Sequence, residues 1–129
     1  GDGDLDLLVG ESSGEINFWR NAGTPEEPAF ELVDDRYLEI DAGRRSVPTL
    51  RDLDGDGDLD LVIGSENEGL WVYRNLGDAA EPRFEYEGKA PADVMPFAAP
   101  VFGDLDGDGV DELITGTIGG GLSLYGSSR

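Results

Sequence analysis

The sequence predicts an all-β protein built from repeated four-stranded units, on the strength of three observations. A block of about fifty residues recurs along the chain. Each block divides into four short segments of strand-forming residues separated by Gly, Pro, Asn and Asp, with no sustained helical periodicity. The predicted strands carry apolar side chains on both faces, so each sheet needs cover on both sides. Together these features predict antiparallel blades of a β-propeller.

The repeat is clearest in its acidic segment. GDGDLDLLVG at residues 1–10 matches GDGDLDLVIG at 55–64 and GDGVDELITG at 107–116. The first correspondence continues well past the acidic residues, since WRNAG at 19–23 matches YRNLG at 73–77, and a Pro-x-Phe sequence follows each. A match of this length indicates a repeated structural unit.

The most complete unit defines the predicted blade. Its four strands are expected at residues 48–53, 59–65, 70–74 and 83–86, where β-branched, aromatic and other apolar residues alternate between turn-forming segments. The acidic segment falls between the first two strands and is therefore predicted to be a hairpin connection.

The 129 residues are expected to form a single propeller segment of about two and a half blades. The complete blade spans 48–87, and partial blades at 1–40 and 99–126 supply three strands each. Because the chain opens inside a motif, we expect it to be a piece of a longer protein. A propeller needs about four to eight blades, so the predicted partners are further blades. These come from copies of the chain associating head to tail, or from missing parts of the same chain.

The composition excludes several classes of function. With 29 acidic and 9 basic residues and a net charge of -20, the chain would be repelled by nucleic acid and by anionic membrane surfaces. It has no Cys and no His, which excludes disulfides, the usual zinc sites and catalytic triads that need imidazole. No apolar run approaches the roughly 18 residues of a membrane-spanning helix. Cations are the partners that this composition favours.

The acidic loop of the complete blade has the spacing of a calcium loop. Asp52, Asp54, Asp56 and Asp60 hold loop positions 1, 3, 5 and 9, with Gly at position 6, and Asp58 can offer its backbone carbonyl at position 7. Five carboxylates within nine residues would repel one another in an empty compact loop, which favours a bound divalent cation. The alternative is an acidic, solvated turn.

Two other classes of calcium loop share part of this pattern. An EF-hand or dockerin-type loop has the same D-x-D-x-D-G opening but carries a bidentate Glu at position 12, where this chain has Ile63 and Thr115. The flanking residues also favour strands over helices. The nonapeptide repeat of bacterial toxins is disfavoured because its tandem glycine-rich copies are missing.

These segments resemble the FG-GAP or VCBS-type calcium-binding propeller repeats, whose best-known relatives are the head domains of integrin α subunits. The resemblance lies in DLDGDGDLDLVIG from Asp52, DLDGDGVDELITG from Asp104, the truncated GDGDLDLLVG, and the WRNAG and YRNLG segments. It implies calcium held in the hairpin between the first two strands of each blade. It also implies an extracellular, cell-surface or secreted protein, but no particular ligand.

The resemblance implies two further calcium loops. The ligands expected in the loop of the last unit are Asp104, Asp106, Asp108, the carbonyl of Val110 and, at position 9, Glu112. The loop of the first unit retains only Asp2, Asp6 and the carbonyl of Asp4. It is therefore expected to bind calcium weakly or not at all, unless a neighbouring chain completes it.

Aromatic and basic residues near the loops have two interpretations. Trp19, Trp71 and Tyr73 can stack on a sugar or a partner, but their equivalent repeat positions favour packing between blades. Arg20 and Arg74 can bind an anionic ligand, but their place beside an acidic loop favours local ion pairs.

The function expected from the sequence is a non-enzymatic scaffold, adhesion or protein-interaction module in which calcium is structural. The ion would stiffen each blade and hold surface loops at 24–28 and 78–82 for a protein or carbohydrate partner. The alternative is part of a calcium-dependent lyase or hydrolase for carbohydrates, in which paired carboxylates do acid-base work. Metal ligation already accounts for the acidic clusters, which favours the scaffold.

Overall fold

The computed structural model describes residues 2–66, 69–89 and 98–126 of the chain. Within these ranges the protein has ten β-strands and one short 3-10 turn at Tyr37–Glu39. None of the described residues form a helix long and apolar enough to cross a membrane. The predicted all-β class is confirmed.

The strands form three antiparallel sheets in which each strand pairs with the next one along the chain. Sheet 1 contains β1 (Leu7–Gly10), β2 (Ile16–Asn21) and β3 (Phe30–Asp34). Sheet 2 contains β4 (Val47–Arg51), β5 (Asp60–Gly64), β6 (Leu70–Asn75) and β7 (Phe84–Lys89). Sheet 3 contains β8 (Ala99–Gly103), β9 (Glu112–Gly116) and β10 (Leu122–Tyr125). These sheets are propeller-like blades, and in the described part of the chain they do not close into a ring.

The strands of sheet 2 lie close to their predicted positions, and only two ends differ by more than one residue. The first strand ends at Arg51 and not at residue 53, because the acidic turn begins at Asp52. The fourth strand continues to Lys89, past a bulge between Val72 and Tyr73 on the neighbouring strand. The hairpin predicted between the first two strands is present as the connection from β4 to β5.

Sheet 2 packs against sheet 1 through one of its faces. The buried residues of this core are Ile16, Ile40, Ala42, Leu61 and Ile63. Trp71 and Tyr73 pack against it from β6, and each ring lies within 5.5 Å of the ring of Tyr86, measured between centroids. The prediction that these two aromatic residues pack between blades is confirmed.

The opposite face of sheet 2 packs against sheet 3. Its core contains Val62 and Leu70 from sheet 2 together with Ala98 and Leu113. Alternate residues of β5 therefore enter different cores, and every residue of this strand is buried. The two-sided burial predicted from the apolar pattern is present in the central sheet.

Neighbouring sheets approach each other closely at a glycine near the end of a strand. A Cβ atom added to Gly10 would lie 1.9 Å from the carbonyl oxygen of Ser46, and one added to Gly64 would lie 2.0 Å from that of Ala98. A proline ring, Pro48 or Pro100, lies beside each contact. The same backbone contact thus joins sheet 1 to sheet 2 and sheet 2 to sheet 3.

We expect Gly64→Ala to lower the free energy of unfolding by about 1–3 kcal/mol, because the methyl group would overlap the Ala98 carbonyl. Gly116→Ala is the matched control. Gly116 occupies the same place in sheet 3, and the nearest atom to its added Cβ is Leu122 Cδ2 at 3.9 Å, so we expect a change within about 0.5 kcal/mol. Urea denaturation measures both variants. Equal stability of the two would contradict the close contact.

Among the described residues, none cover the outer faces of sheets 1 and 3 in the way that both faces of sheet 2 are covered. Leu70 and Val72 in β6 are 1% and 8% exposed, whereas their equivalents in β10, Leu122 and Leu124, are 79% and 60% exposed. We call these two β10 residues the sheet-3 flank. On the outer face of sheet 1, the corresponding exposed residues of β1 are Leu7 and Val9.

Candidate metal centre

The acidic turn between β4 and β5 folds tightly around two glycines. Gly55 and Gly57 have φ angles of 82° and 98°, in the left-handed region that favours glycine. Asp52 accepts the N–H of Gly55 at 2.7 Å with one carboxylate oxygen and the N–H of Gly57 at 3.0 Å with the other. The hydrogen bond from Gly55 is the largest cause of a lowered pKa of Asp52. The turn thus favours the charged carboxylate that a cation needs.

Three carboxylates converge in this turn. Asp52, Asp54 and Asp60 each place one oxygen so that the three atoms lie within 4.8 Å of one another. An all-oxygen set of this kind suits a hard divalent cation. Asp56 is not part of the group, and its Oδ1 accepts the N–H of Asp58 at 3.1 Å instead. The roles of Asp56 and of the Asp58 carbonyl as ligands stay predictions.

Asp60 also has a structural role that the spacing did not reveal. Its side chain is only 2% exposed. One oxygen accepts the N–H of Asn75 at 2.8 Å, and the other accepts the N–H of Leu53 at 2.9 Å. Asp60 therefore links the acidic turn to the end of β6.

Arg74 places a positive charge beside the same carboxylates. Its Nη1 lies 3.1 Å from an oxygen of Asp60 and 3.7 Å from one of Asp54, and its Nε bonds to Glu87. The predicted local ion pairing of Arg74 is confirmed. Arg20, its equivalent in sheet 1, forms an ion pair with Glu31 at 3.8 Å.

We expect Asp60→Ala to lower the free energy of unfolding by about 1–3 kcal/mol even in a chelator, because the amides of Leu53 and Asn75 lose their acceptor. Asp56→Ala is the control, since it removes the same charge from an exposed position of the same turn. Denaturant unfolding in a chelator measures the difference. A destabilisation by Asp56→Ala equal to that by Asp60→Ala would show that lost charge, and not the buried hydrogen bonds, is responsible.

The acidic turn of sheet 3 has the same construction. Asp104 accepts the N–H groups of Gly107 at 2.7 Å and Gly109 at 2.9 Å. Oxygens of Asp104, Asp106 and Asp108 lie within 4.8 Å of one another. The three side chains are exposed, and the carbonyl of Val110 stays a predicted ligand.

In sheet 3, Glu112 makes one of the contacts that Asp60 makes in sheet 2. It is 7% exposed, and its Oε2 accepts the N–H of Leu105 at 2.8 Å, just as Asp60 accepts that of Leu53. It is not part of the three-carboxylate group of its turn. The longer side chain thus preserves the link between strand and turn, and its role as a metal ligand stays a prediction.

The first acidic segment forms only part of this arrangement. Within the described residues, Asp2, Asp4 and Asp6 are not brought together as a group of three carboxylates. Asp6 nevertheless accepts the N–H of Asn21 at 2.8 Å, which matches the bond between Asp60 and Asn75. The metal-binding roles of Asp2, Asp4 and Asp6 stay predictions.

Asn21 and Asn75, the asparagines of the repeated Arg-Asn-x-Gly sequence, have the same structural role. Both are buried. Oδ1 of Asn75 accepts the N–H groups of Gly77 at 2.9 Å and Arg83 at 2.8 Å. Asn21 makes the same pair of bonds, with Gly23 and Ala29. Each asparagine therefore closes the surface loop that follows its strand.

A cavity of about 750 Å³ lies beside the acidic turn of sheet 2 and is lined by residues of sheets 1 and 2. Its walls include Leu8, Phe18, Tyr37 and Leu50, and Asp58 also lines it. Asp58 is 8% exposed, and its Oδ1 has no hydrogen-bond partner in the described part of the chain. Burial, together with the charge of Asp56, raises the pKa of Asp58. The spacing of the motif did not predict this cavity, because it depends on the packing of two sheets.

The family model of the FG-GAP-like repeat matches residues 52–115. The matched range runs from the acidic turn of sheet 2 to the end region of β9 and includes both three-carboxylate groups. This part of the chain belongs to the FG-GAP-like repeat family. The FG-GAP resemblance stated from the sequence is therefore confirmed. Comparison with curated proteins and with solved structures finds no significant match.

Proposed function

We propose that this FG-GAP-like chain is a calcium-binding propeller segment that acts as a non-catalytic scaffold for protein interaction and adhesion. FG-GAP-like repeats are β-propeller-type interaction modules, and the match over 52–115 supports that broad class. The observation that carries the calcium proposal is the convergence of Asp52, Asp54 and Asp60 at the turn between two inner strands.

The residues of this turn fit calcium by their chemistry. All the donors are oxygens, and the left-handed glycines bring them together without strain. The protein carries a net charge of -20, so each bound calcium would relieve repulsion among clustered carboxylates. Asp52, Asp54 and Asp60 would hold the ion in sheet 2, with Asp104, Asp106 and Asp108 in sheet 3.

The proposed role of calcium is to fix the turn between the inner strands of a blade. Asp60 already ties that turn to Asn75, which in turn closes the loop at 76–83. A stiffer turn therefore supports a more rigid surface loop, and rigid loops are where binding modules hold their partners. We propose a protein or carbohydrate partner, and an extracellular or cell-surface location where calcium sites of moderate affinity are filled.

We expect chelation to lower the melting temperature of the chain and added calcium to restore it. A ligand at 100 times its Kd stabilises the folded state by about 2.7 kcal/mol. Asp54→Asn should reduce the calcium-induced shift, because it removes one of the three converging carboxylates. Asp35→Asn, an equal change of charge at an exposed residue just after β3, should leave the shift intact.

Differential scanning calorimetry with and without calcium makes this comparison. A melting temperature that responds to neither chelator nor calcium would rule out the structural calcium site. An equal reduction of the shift in both variants would attribute it to general charge screening.

We also propose that the outer faces of sheets 1 and 3 meet head to tail between copies of the chain. The chain already joins sheet 1 to sheet 2 and sheet 2 to sheet 3 by equivalent contacts. The sheet-3 flank and the β1 residues Leu7 and Val9 are the exposed counterparts of side chains buried in those two interfaces. Such heterologous contacts repeat until the rotation closes.

Leu124→Asp is expected to abolish this association, because it places a charge on the sheet-3 flank, which would be buried in the interface. The control Leu76→Asp introduces the same charge at a residue that is 50% exposed outside the flanks. Light scattering in calcium should give a multiple of 13.8 kDa for the control and a single chain for Leu124→Asp. A single-chain mass for the unmodified protein in calcium would refute self-association.

A further inference from the structure

The acidic turns of sheets 2 and 3 contain Asp-Gly peptide bonds, which are prone to isomerise because glycine has no Cβ to hinder reaction at its amide nitrogen. Each turn has two of these bonds: Asp54-Gly55 and Asp56-Gly57 in sheet 2, and Asp106-Gly107 and Asp108-Gly109 in sheet 3. All four glycines have left-handed φ angles, between 78° and 98°. The turn geometry therefore favours glycine at the position that makes each bond reactive.

Isomerisation begins when the amide nitrogen of the glycine attacks Cγ of the preceding aspartate. The nitrogen loses its proton, the new N–C bond closes a succinimide ring, and one side-chain oxygen leaves as water. Water then adds to the main-chain carbonyl of the aspartate, whose bond to nitrogen breaks, so the chain now runs through Cγ as isoaspartate. The reaction consumes and releases only water, which reaches residues 54–57 and 106–109 because they are exposed.

A single carboxylate in each turn holds both of the amide groups that would react. Asp52 accepts the N–H of Gly55 at 2.7 Å and that of Gly57 at 3.0 Å, one with each oxygen. Asp104 binds the two corresponding glycine amides of its own turn at 2.7 and 2.9 Å. Attack requires loss of the same N–H proton, which would leave a negative nitrogen beside a negative carboxylate. The hydrogen bonds therefore oppose the first step of isomerisation.

The carboxylates that would be attacked are also engaged by the turn. Asp54 accepts the N–H of Asp56 at 3.3 Å, and Asp56 accepts that of Asp58 at 3.1 Å. In sheet 3, Asp106 and Asp108 accept the N–H groups two residues further on, at 3.1 and 2.9 Å. To close a succinimide ring, each side chain would have to leave this N–H and turn towards the next nitrogen, which costs a hydrogen bond.

We propose that Asp52 and Asp104 protect the Asp-Gly bonds of their own turns from isomerisation to isoaspartate. The protection comes from hydrogen bonds of the folded chain and needs no bound ion, so it goes beyond the proposed calcium function. Isoaspartate inserts a methylene group into the main chain and shortens the side chain by the same group. At Asp54 this change would displace a carboxylate that lies within 4.8 Å of those of Asp52 and Asp60.

Ageing of the full chain in a chelator, at physiological pH and temperature, tests the proposal without any contribution from calcium. Peptide mapping with electron-transfer fragmentation measures isoaspartate at each Asp-Gly bond. We expect Asp52→Ala to raise the rate at residues 54 and 56 by about tenfold, because a hydrogen bond to a charged group is lost at each glycine amide. The rates at residues 106 and 108 should not change, and Asp104→Ala should give the reverse pattern.

Asp78→Ala is the matched control for the loss of a carboxylate. Asp78 also accepts two backbone N–H groups, those of Ala80 and Glu81, both at 2.8 Å, but it lies in a loop without an Asp-Gly bond. We expect this variant to leave all four rates unchanged. Amide hydrogen exchange at Gly55 and Gly57 gives a direct measure of the hydrogen bonds, and it should accelerate in Asp52→Ala but not in the control.

Three outcomes would overturn the proposal. Equal acceleration at all four bonds in Asp52→Ala, or an equal effect of Asp78→Ala, would attribute isomerisation to general unfolding. A slower reaction at residues 54 and 56 in Asp52→Ala would show that this carboxylate assists removal of the amide proton. Unchanged rates there would show that its hydrogen bonds do not control the reaction. Because all rates are measured in a chelator, these outcomes are separate from the calcium-induced shift in melting temperature that tests the proposed function.

Discussion

The buried carboxylate of Asp60 is the interaction on which the central blade depends. It accepts one N–H from the acidic turn and one from the end of β6, so a single side chain connects the turn, the inner hairpin and the strand beside it. Glu112 keeps the link to the turn in sheet 3, and Asp6 keeps the link to β2 in sheet 1. One proposed metal ligand is thus held in place by the backbone of the folded blade, so calcium would close a turn that is already largely organised.

The sequence predicted the repeated fold because its signals are local. Alternation along β5 places Leu61 in one core and Val62 in the other, and the left-handed backbone of the acidic turn favours glycine at Gly55 and Gly57. The same spacing predicted a metal loop, and the structure places oxygens of Asp52, Asp54 and Asp60 within 4.8 Å of one another. These features depend only on the alternation of side chains along a strand and on turn geometry. A short stretch of sequence specifies both.

Other features of the site depend on contacts between distant segments, and the sequence did not predict them. The carboxylate of Asp56 accepts the N–H of Asp58, and that of Glu112 accepts the N–H of Leu105. The spacing indicated neither hydrogen bond, and the ligand roles of Asp56 and Glu112 stay predictions. The cavity beside Asp58 exists only because sheets 1 and 2 pack at a particular distance. Such contacts arise from the packing of distant segments and from local hydrogen bonding, which spacing alone does not resolve.

The contacts at Gly10 and Gly64 have a consequence for how such a chain tolerates sequence change. At these points a carbonyl group of one sheet faces the bare backbone of the next, so main-chain atoms set the distance between sheets there. Side chains elsewhere in the two cores can then vary in size and shape while the separation of successive units is preserved. Units with different cores and different surface loops can therefore be stacked interchangeably, as long as each keeps its glycine and presents its small residue and proline to the next.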